Sequence, residues 1–176
     1  LIGWNNKKIN KLWLYNLHYF DDLNSKKAVL RRNWHKSLID SWIDEIPTGK
    51  GIGWEPYPTS LRIVNWCKYY LSGNKLSEHQ LKSLYTQAFW LNKRTEYHLQ
   101  GNHLFANAKA LYFAGCFFEG TFSELWLKKA RQIIVNELSE QILEDGGHFE
   151  LSPMYHSIIL EDLLDLVNIA KAYGHT

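Results

Sequence analysis

Apolar residues recur every three or four positions along almost the whole chain, and this spacing limits the possible folds more than any other feature. Such a repeat places apolar side chains on one face of an α-helix. The first stripe predicts a helix from about Lys26 to Ile46, and it consists of Leu30, Trp34, Leu38, Trp42 and Ile46. The segment from 47 to 58 is rich in glycine and proline, which predicts the longest loop. Residues 147 to 151 are the one stretch predicted to be briefly extended.

Local signals divide the rest of the chain into further helices. Capping-box sequences at Ser77 and at Thr121 each predict a helix start, and the second helix is predicted to end at Asp145-Gly146-Gly147. Ser152 followed by Pro153 predicts another start, with serine as the cap. Two more helices are predicted, from about Leu61 and from about Asn102. The total of about six helices with short loops predicts an all-α fold of antiparallel helical hairpins, in a bundle or an arc.

The composition excludes several classes of function. A net charge of +2 provides no general field for nucleic-acid binding, although it permits a local basic cleft for acidic sugars. No apolar run is long enough to span a bilayer. Cys67 and Cys116 lie far apart and outside any metal-ligand spacing, so the sequence predicts two buried thiols, no disulfide and no metal site.

Two helix starts carry the candidate catalytic residues. Asn102 and His103 stand side by side where a helix is predicted to begin, and a helix N-terminus attracts an anion. Asn102 also suits the cap position, and His103 alone could be a surface residue. Tyr155 and His156 fall in the first turn of the last predicted helix. Core packing is the simpler role for a single tyrosine, but two such starts in one chain favour a shared site.

Further candidates lie in and after the glycine- and proline-rich segment. Arg62 follows it and is a candidate for binding an acidic sugar, with a plain salt bridge as the alternative. Trp54 and Tyr57 are candidates for stacking on sugar rings, although aromatic residues more often fill the core. We expect these three residues to flank the same concave face as the two helix starts.

The candidate residues suit removal of a carbon-bound proton more than hydrolysis. An amide and an imidazole can stabilise a carboxylate as the carbon beside it loses a proton. Tyr155 is the candidate that moves protons, either as the base or as the acid to the leaving oxygen. This is the chemistry of a polysaccharide lyase. A glycoside hydrolase would need two suitably spaced carboxylates; the alternatives of a hydrolase and of a non-catalytic glycan-binding domain stay open here.

Four motifs resemble the heparinase II/III family and extend from residue 13 to beyond residue 150. They are Trp13-Leu14-Tyr15-Asn16-Leu17-His18-Tyr19-Phe20-Asp21, Trp54-Glu55-Pro56-Tyr57 through Ser60-Leu61-Arg62, Gly101-Asn102-His103-Leu104, and Gly147-His148-Phe149-Glu150 to Tyr155-His156. The Asn-His motif followed by Ser-Pro-x-Tyr-His is the most specific of these. The Trp-Leu-Tyr-Asn-Leu-His-Tyr-Phe opening supports it independently.

The resemblance implies that residues 1–176 form an incomplete α/α toroid, truncated at its C-terminal end and followed in the whole protein by a β-sandwich domain. It implies β-elimination of an acidic, uronic-acid-containing polysaccharide, without a cofactor and without nucleic acid or membrane as partner. Asn102 and His103 match the residues that neutralise the uronate carboxylate, and Tyr155 matches the proton-shuttling tyrosine. His156 is a candidate for substrate binding. A further histidine is expected from beyond this segment.

Overall fold

A computed structural model describes residues 3–174 and contains seven α-helices. They are α1 (Lys11–Tyr19), α2 (Arg32–Glu45), α3 (Pro56–Leu71), α4 (Glu78–Asn92), α5 (Gly101–Phe117), α6 (Thr121–Gln141) and α7 (Pro153–Ala172). Short 3-10 helices cover 21–24, 28–31 and 52–54. Within residues 3–174 no strand forms, and extended pairing is limited to one bridge between Ile142 and His148. The all-α prediction is confirmed, with one helix more than predicted because α1 was not recognised.

The chain divides into two compact units, the first ending at Lys93 and the second beginning at Arg94. Unit 1 contains α1 to α4, and unit 2 contains α5 to α7. None of the helices in the described range is long and apolar enough to cross a membrane. The prediction that residues 1–176 form one toroid domain within a longer protein stays a prediction.

Unit 1 is built around buried tryptophan. Trp42 and Trp66 are fully buried, and their rings meet edge to face with centroids 5.9 Å apart. Phe20 packs edge-on against both rings, and Trp54 lies 5.8 Å from Trp42. Such edge contacts are the preferred geometry for aromatic pairs and add to the free energy gained by burial. Cys67 is buried in this unit, as predicted.

The predicted apolar stripe of α2 is wrong in three of its five positions. Leu30, Trp34 and Leu38 are 78%, 74% and 42% exposed, whereas the buried face holds His35, Ile39 and Trp42. Apolar residues occupy two faces of this segment, and only one face can pack against the core. The helix also starts at Arg32 rather than near 26, because a left-handed residue at 27 and a 3-10 turn precede it.

Helix starts in unit 1 follow local rules. Helix α3 begins at Pro56, where proline loses no hydrogen bond at the first helical position, so the predicted loop is shorter than expected. The capping box at α4 is confirmed. Ser77 Oγ accepts the Gln80 backbone N–H at 3.2 Å, and Gln80 Oε1 accepts the Ser77 backbone N–H at 3.0 Å.

In unit 2, α5 is buried on nearly all sides and packs against both α6 and α7. Cys116 on α5 is a buried free thiol, as predicted. The predicted capping box at Thr121 is wrong, because Gly120 takes the cap position with a φ of +100° that suits glycine. Helix α6 ends at Gln141, earlier than predicted, and a turn follows in which Gly146 has a φ of +84°.

A buried ion cluster joins α7 to α5. Lys109 Nζ donates to Asp162 Oδ1 at 2.7 Å and to Asp165 Oδ2 at 2.5 Å. The outer side of α7 is apolar but exposed, with Leu160 at 50%, Leu164 at 57% and Val167 at 47%. Helix α7 is therefore fixed on one side and presents an uncovered apolar surface on the other.

Candidate active site

The start of α5 places Asn102 and His103 in the first turn of the helix. Gln100 is the cap residue and Gly101 the first helical residue, so the prediction of Asn102 as the cap is wrong. Gln100 and Gly101 both have a φ of +53°, which turns the chain into the helix before Asn102 is reached. A left-handed φ is uncommon for a residue with a side chain and often marks a functional segment. Asn102 and His103 are half-buried.

A carboxylate that the sequence did not single out holds His103. Both carboxylate oxygens of Glu96 lie 3.3 Å from His103 Nδ1. An ionised carboxylate only accepts hydrogen bonds, so this contact requires the hydrogen on Nδ1. Glu96 is 7% exposed, and its orientation is fixed by Asn107. Asn107 Nδ2 donates to Glu96 Oε2 at 3.2 Å, while Asn107 Oδ1 accepts the Glu96 backbone N–H at 2.8 Å.

The start of α7 resembles that of α5, because a residue with a positive φ precedes the helix and two candidate residues lie in its first turn. Leu151 has a φ of +53°, Ser152 is the cap residue, and Pro153 is the first helical residue, as predicted. Ser152 caps without a side-chain hydrogen bond. Tyr155 is half-buried and His156 exposed, both in the first turn as predicted. Among the described residues none forms a hydrogen bond with the Tyr155 hydroxyl or the His156 ring.

His148 lies beneath Tyr155. The two rings stack with centroids 6.2 Å apart and planes 28° from parallel. His148 is 2% exposed; its Nδ1 accepts the Glu150 backbone N–H at 3.3 Å, and its Nε2 lies 3.2 Å from Gln141 Oε1. An open recess of about 330 Å³ adjoins these residues, lined by Gly147, His148, Leu151, Ser152, Pro153 and His156.

The structure places Arg62 in the interior of unit 1, where its side chain is 0% exposed. Its Nε donates to Gln87 Oε1 at 2.8 Å, and its other nitrogens donate to the His18 carbonyl and Thr59 Oγ1, each at 3.3 Å. The guanidinium also lies 3.9 Å from the centre of the Trp42 ring. Burial lowers the pKa of Arg62. This geometry gives Arg62 an internal role and leaves it no surface with which to bind a sugar.

The two aromatic candidates of unit 1 differ in exposure. Trp54 is 4% exposed and packs between Trp42 and Trp90, so it belongs to the core and cannot stack on a sugar as placed. Tyr57 is half-buried and meets Tyr19 edge to face. The expectation that these residues share a concave face with α5 and α7 stays a prediction.

The carboxylates that a hydrolase would need either form ion pairs with Lys109 or lie at exposed positions. Asp162 and Asp165 both bind Lys109, and burial raises the pKa of Asp162 while Lys109 opposes this effect. Glu144, Asp145, Glu150 and Glu161 are exposed. Within residues 3–174 no group of three or more His, Cys, Asp or Glu side chains is arranged to hold a metal ion.

Comparison with known families gives a match that covers nearly the whole chain. Residues 8–176 match the family described as Heparinase II/III N-terminus. The matched range includes both helix starts of unit 2 and the buried core of unit 1.

Three curated relatives match over shorter stretches, and all are named heparin-sulfate lyase. The one from Bacteroides stercoris is 39% identical over 44% of this chain, and the one from Pedobacter heparinus is 37% identical over 53%. The one from Bacteroides thetaiotaomicron is 36% identical over 43%. The matched stretches span only 11% to 13% of these relatives' own lengths. No solved structure matches the chain.

Proposed function

This chain belongs to the heparinase II/III family, and we propose that the whole protein is a lyase that cleaves uronic-acid-containing polysaccharide by β-elimination. One observation carries the proposal. Unit 2 presents an amide with an imidazole at one helix start and a phenol with an imidazole at another, each after a left-handed residue with a side chain. The three relatives named heparin-sulfate lyase support the same class of reaction.

Asn102 and His103 are proposed to bind the uronate carboxylate. Removing the proton from the neighbouring carbon places further negative charge on that carboxylate, and a donor aimed at it can contribute roughly 3 to 4 kcal/mol. Glu96 accepts the hydrogen bond of His103 Nδ1 and so fixes the orientation of the imidazole that we propose meets the carboxylate.

Tyr155 is proposed to transfer protons at the reacting sugar. In the elimination, the C5–H bond of the uronate breaks, its electron pair forms the C4–C5 double bond, and the C4–O bond breaks. The leaving oxygen gains a proton, and the base keeps the one taken from C5. A half-exposed phenol in the first turn of α7 suits either transfer. We propose that a group outside residues 1–176, in a β-sandwich domain, completes the acid–base pair.

The substrate-binding residues expected from the sequence divide by exposure. His156 is exposed beside Tyr155, and we propose that it contacts the acidic chain. Tyr57 reaches the surface of unit 1 and is kept as a candidate for sugar stacking. Arg62 and Trp54 are not carried into the proposal, because both are buried and bound within the core.

The test is ultraviolet detection of unsaturated uronate released by the whole protein from a panel of polysaccharides. The panel contains heparan sulfate, chondroitin sulfate, alginate and bacterial capsule polymers that contain uronic acid. We expect an unsaturated product from at least one polymer. Reducing ends without the unsaturated product would indicate a hydrolase, and binding without any product would indicate a glycan-binding protein.

A further inference from the structure

We propose that His148 is a positioning residue that holds Tyr155 in place, at the end of a buried hydrogen-bond chain that begins at α5. The inference rests on the proposed function, because it concerns the tyrosine assigned to proton transfer. It gives a role to the Gly147-His148 motif, which the reaction scheme itself does not use. His148 offers almost no surface to a substrate, since its side chain is 2% exposed.

The chain of contacts crosses unit 2 from one helix start to the other. Glu137 on α6 accepts the backbone N–H of Gly101, the first residue of α5. Gln141 Nε2 donates to Glu137 Oε2 at 2.7 Å, and Gln141 Oε1 lies 3.2 Å from His148 Nε2. The His148 ring then stacks on Tyr155 at 6.2 Å. The three linking side chains are 5%, 1% and 2% exposed, in the order Glu137, Gln141 and His148.

Only one assignment of donors and acceptors satisfies all the hydrogen bonds between Glu137, Gln141 and His148. The Glu150 backbone N–H points at His148 Nδ1, so that nitrogen needs a lone pair and the ring hydrogen must lie on Nε2. His148 Nε2 therefore donates to the Gln141 oxygen, which leaves the Gln141 amide nitrogen to donate to Glu137. Glu137 accepts from both sides, as a carboxylate does. Both ring nitrogens of His148 are thus used in hydrogen bonds, which suits orientation rather than proton transfer.

The backbone around His148 is also fixed. Ile142 and His148 form the single bridge of the described chain; Leu143 donates its N–H to the Gly147 carbonyl at 2.9 Å, and Phe149 donates to the Gln141 carbonyl at 2.8 Å. The ring therefore cannot shift without breaking contacts at the end of α6. A displacement of about 1 Å at a catalytic group can lower a rate by about 100-fold. This network ties the orientation of Tyr155 to the residue that immediately precedes Asn102.

The kinetic test compares the whole protein with four variants, which are His148→Ala, Tyr155→Phe, the combination of the two, and His79→Ala. We expect His148→Ala to lower kcat by about 10- to 100-fold. We expect KM to stay within about twofold, because the group lost acts on the reacting residue and not on substrate binding. In a Tyr155→Phe background the same substitution should cause no further loss, since the two rings act as one unit. His79→Ala, at an exposed position on α4, is the matched control and should leave kcat unchanged.

His148→Gln separates positioning from a purely structural role. Glutamine can still donate to Gln141, so the hydrogen-bond chain and the fold are kept, but the ring against Tyr155 is lost. We expect kcat to remain as low as in His148→Ala, with the melting temperature closer to that of the unchanged protein. Recovery of kcat in His148→Gln would overturn the positioning role, as would a rise in KM at unchanged kcat.

A spectroscopic measurement keeps the inference testable if the protein has no lyase activity. Fluorotyrosine is placed at position 155, and its ¹⁹F resonance is recorded in the unchanged chain, in His148→Ala and in His79→Ala. We expect the resonance to shift and broaden in His148→Ala alone. An unchanged resonance would overturn the contact between the rings, whatever the activity. Absence of unsaturated product from every polymer, with the resonance shift present, would overturn the proposed function and leave the network standing.

Discussion

Both units bury polar side chains, but the two buried networks end differently. In unit 1, the hydrogen bonds of Arg62 and His18 stay within the core, where their partners are Gln87, Thr59, Trp42 and backbone carbonyls. In unit 2, the chain through Glu137 and His148 ends at a half-exposed tyrosine. A second pair in unit 2, Glu96 with His103, also ends at a partly exposed ring.

The difference separates polar groups that hold a fold from polar groups that hold a site. A buried polar group costs free energy unless it is hydrogen-bonded, and Arg62 and His18 meet this cost within the core of unit 1. In unit 2 the same kind of bond fixes residues that still reach solvent. Substitutions in the unit 1 network should therefore change stability but not the activity of the folded protein, whereas those in the unit 2 networks should change activity.

The largest expected effect is the loss of lyase activity on substitution of Tyr155, the half-exposed residue at the end of the unit 2 network. Tyr155→Phe in the whole protein should lower kcat for the lyase reaction by about 100- to 10,000-fold, because it removes the only atom of the side chain that can transfer a proton. Substrate affinity and the melting temperature should be nearly unchanged, since the stack on His148 is kept. The measurements are release of unsaturated uronate, substrate binding and thermal unfolding. Tyr70→Phe, on the exposed end of α3, is the control, and unimpaired turnover by Tyr155→Phe would remove the phenol from the mechanism.

The next effect tests the unit 1 network of Arg62 and His18, which is closed in the sense that its hydrogen bonds stay within the core. The quantity measured is the dependence of the free energy of unfolding on pH. His18 Nε2 donates to the Trp4 carbonyl and Nδ1 accepts the Trp42 indole N–H, each at 3.0 Å. Burial, and then the charge of Arg62, lower the pKa of His18 from 6.5 to about 4, against the opposing effect of the hydrogen bond to Trp4. Below pH 6.5 the unfolded chain binds a proton at this position while the folded chain does not.

The free energy of unfolding should therefore be at its full value above pH 6.5 and fall as the pH is lowered to about 4. The contribution of this one group is at most about 3 kcal/mol. Urea unfolding at several pH values measures it, and comparison with His18→Gln isolates His18 from the carboxylates that titrate in the same range. In His79→Ala the free energy of unfolding should depend on pH as it does in the unchanged chain. The same dependence in His18→Gln would show that His18 does not cause the loss of stability at low pH.

A smaller effect is expected from the second network of unit 2. Glu96→Gln keeps the size of the side chain but removes the charge that holds His103 Nδ1. A hydrogen bond to a charged group contributes about 1.5 to 3 kcal/mol, so kcat/KM should fall by about 10- to 100-fold. The melting temperature should change little, because glutamine can still accept from Asn107. Glu124→Gln, at an exposed position on α6, is the control; equal kcat/KM in the two variants would show that Glu96 does not support His103.

Glu96 also shows where sequence-based prediction stops. The helix starts at Ser77 and Pro153 were predicted because a few neighbouring residues determine a cap. Glu96 meets His103 across a turn that depends on two left-handed residues, and no local pattern indicated that turn. An acidic residue seven positions before His103 was the one available signal.

Burial was the other property that the sequence did not reveal. Arg62 and Trp54 were expected at a surface because they lie in or near a glycine- and proline-rich segment. The structure packs both against Trp42 in the core of unit 1. The face of α2 was likewise ambiguous, because apolar residues occupy two of its sides and tertiary packing selects one. Which polar or aromatic residue becomes internal thus depends on contacts that are distant in sequence.

The smallest expected effect tests how tightly the unit 1 network is packed. A Cβ atom added at Gly53 would lie 2.6 Å from His18 Nδ1 and 2.8 Å from His18 Cε1. The His18 ring cannot move aside without breaking its bonds to Trp4 and Trp42, so Gly53→Ala should destabilise the chain by about 1 to 2 kcal/mol. Gly3→Ala is the matched control, because a Cβ there meets no atom within 4 Å. Urea unfolding compares the two variants, and lyase activity of the folded protein should be the same in both. A loss of activity in Gly53→Ala at unchanged stability would contradict the distinction drawn between the units, since it would make the closed network part of the site.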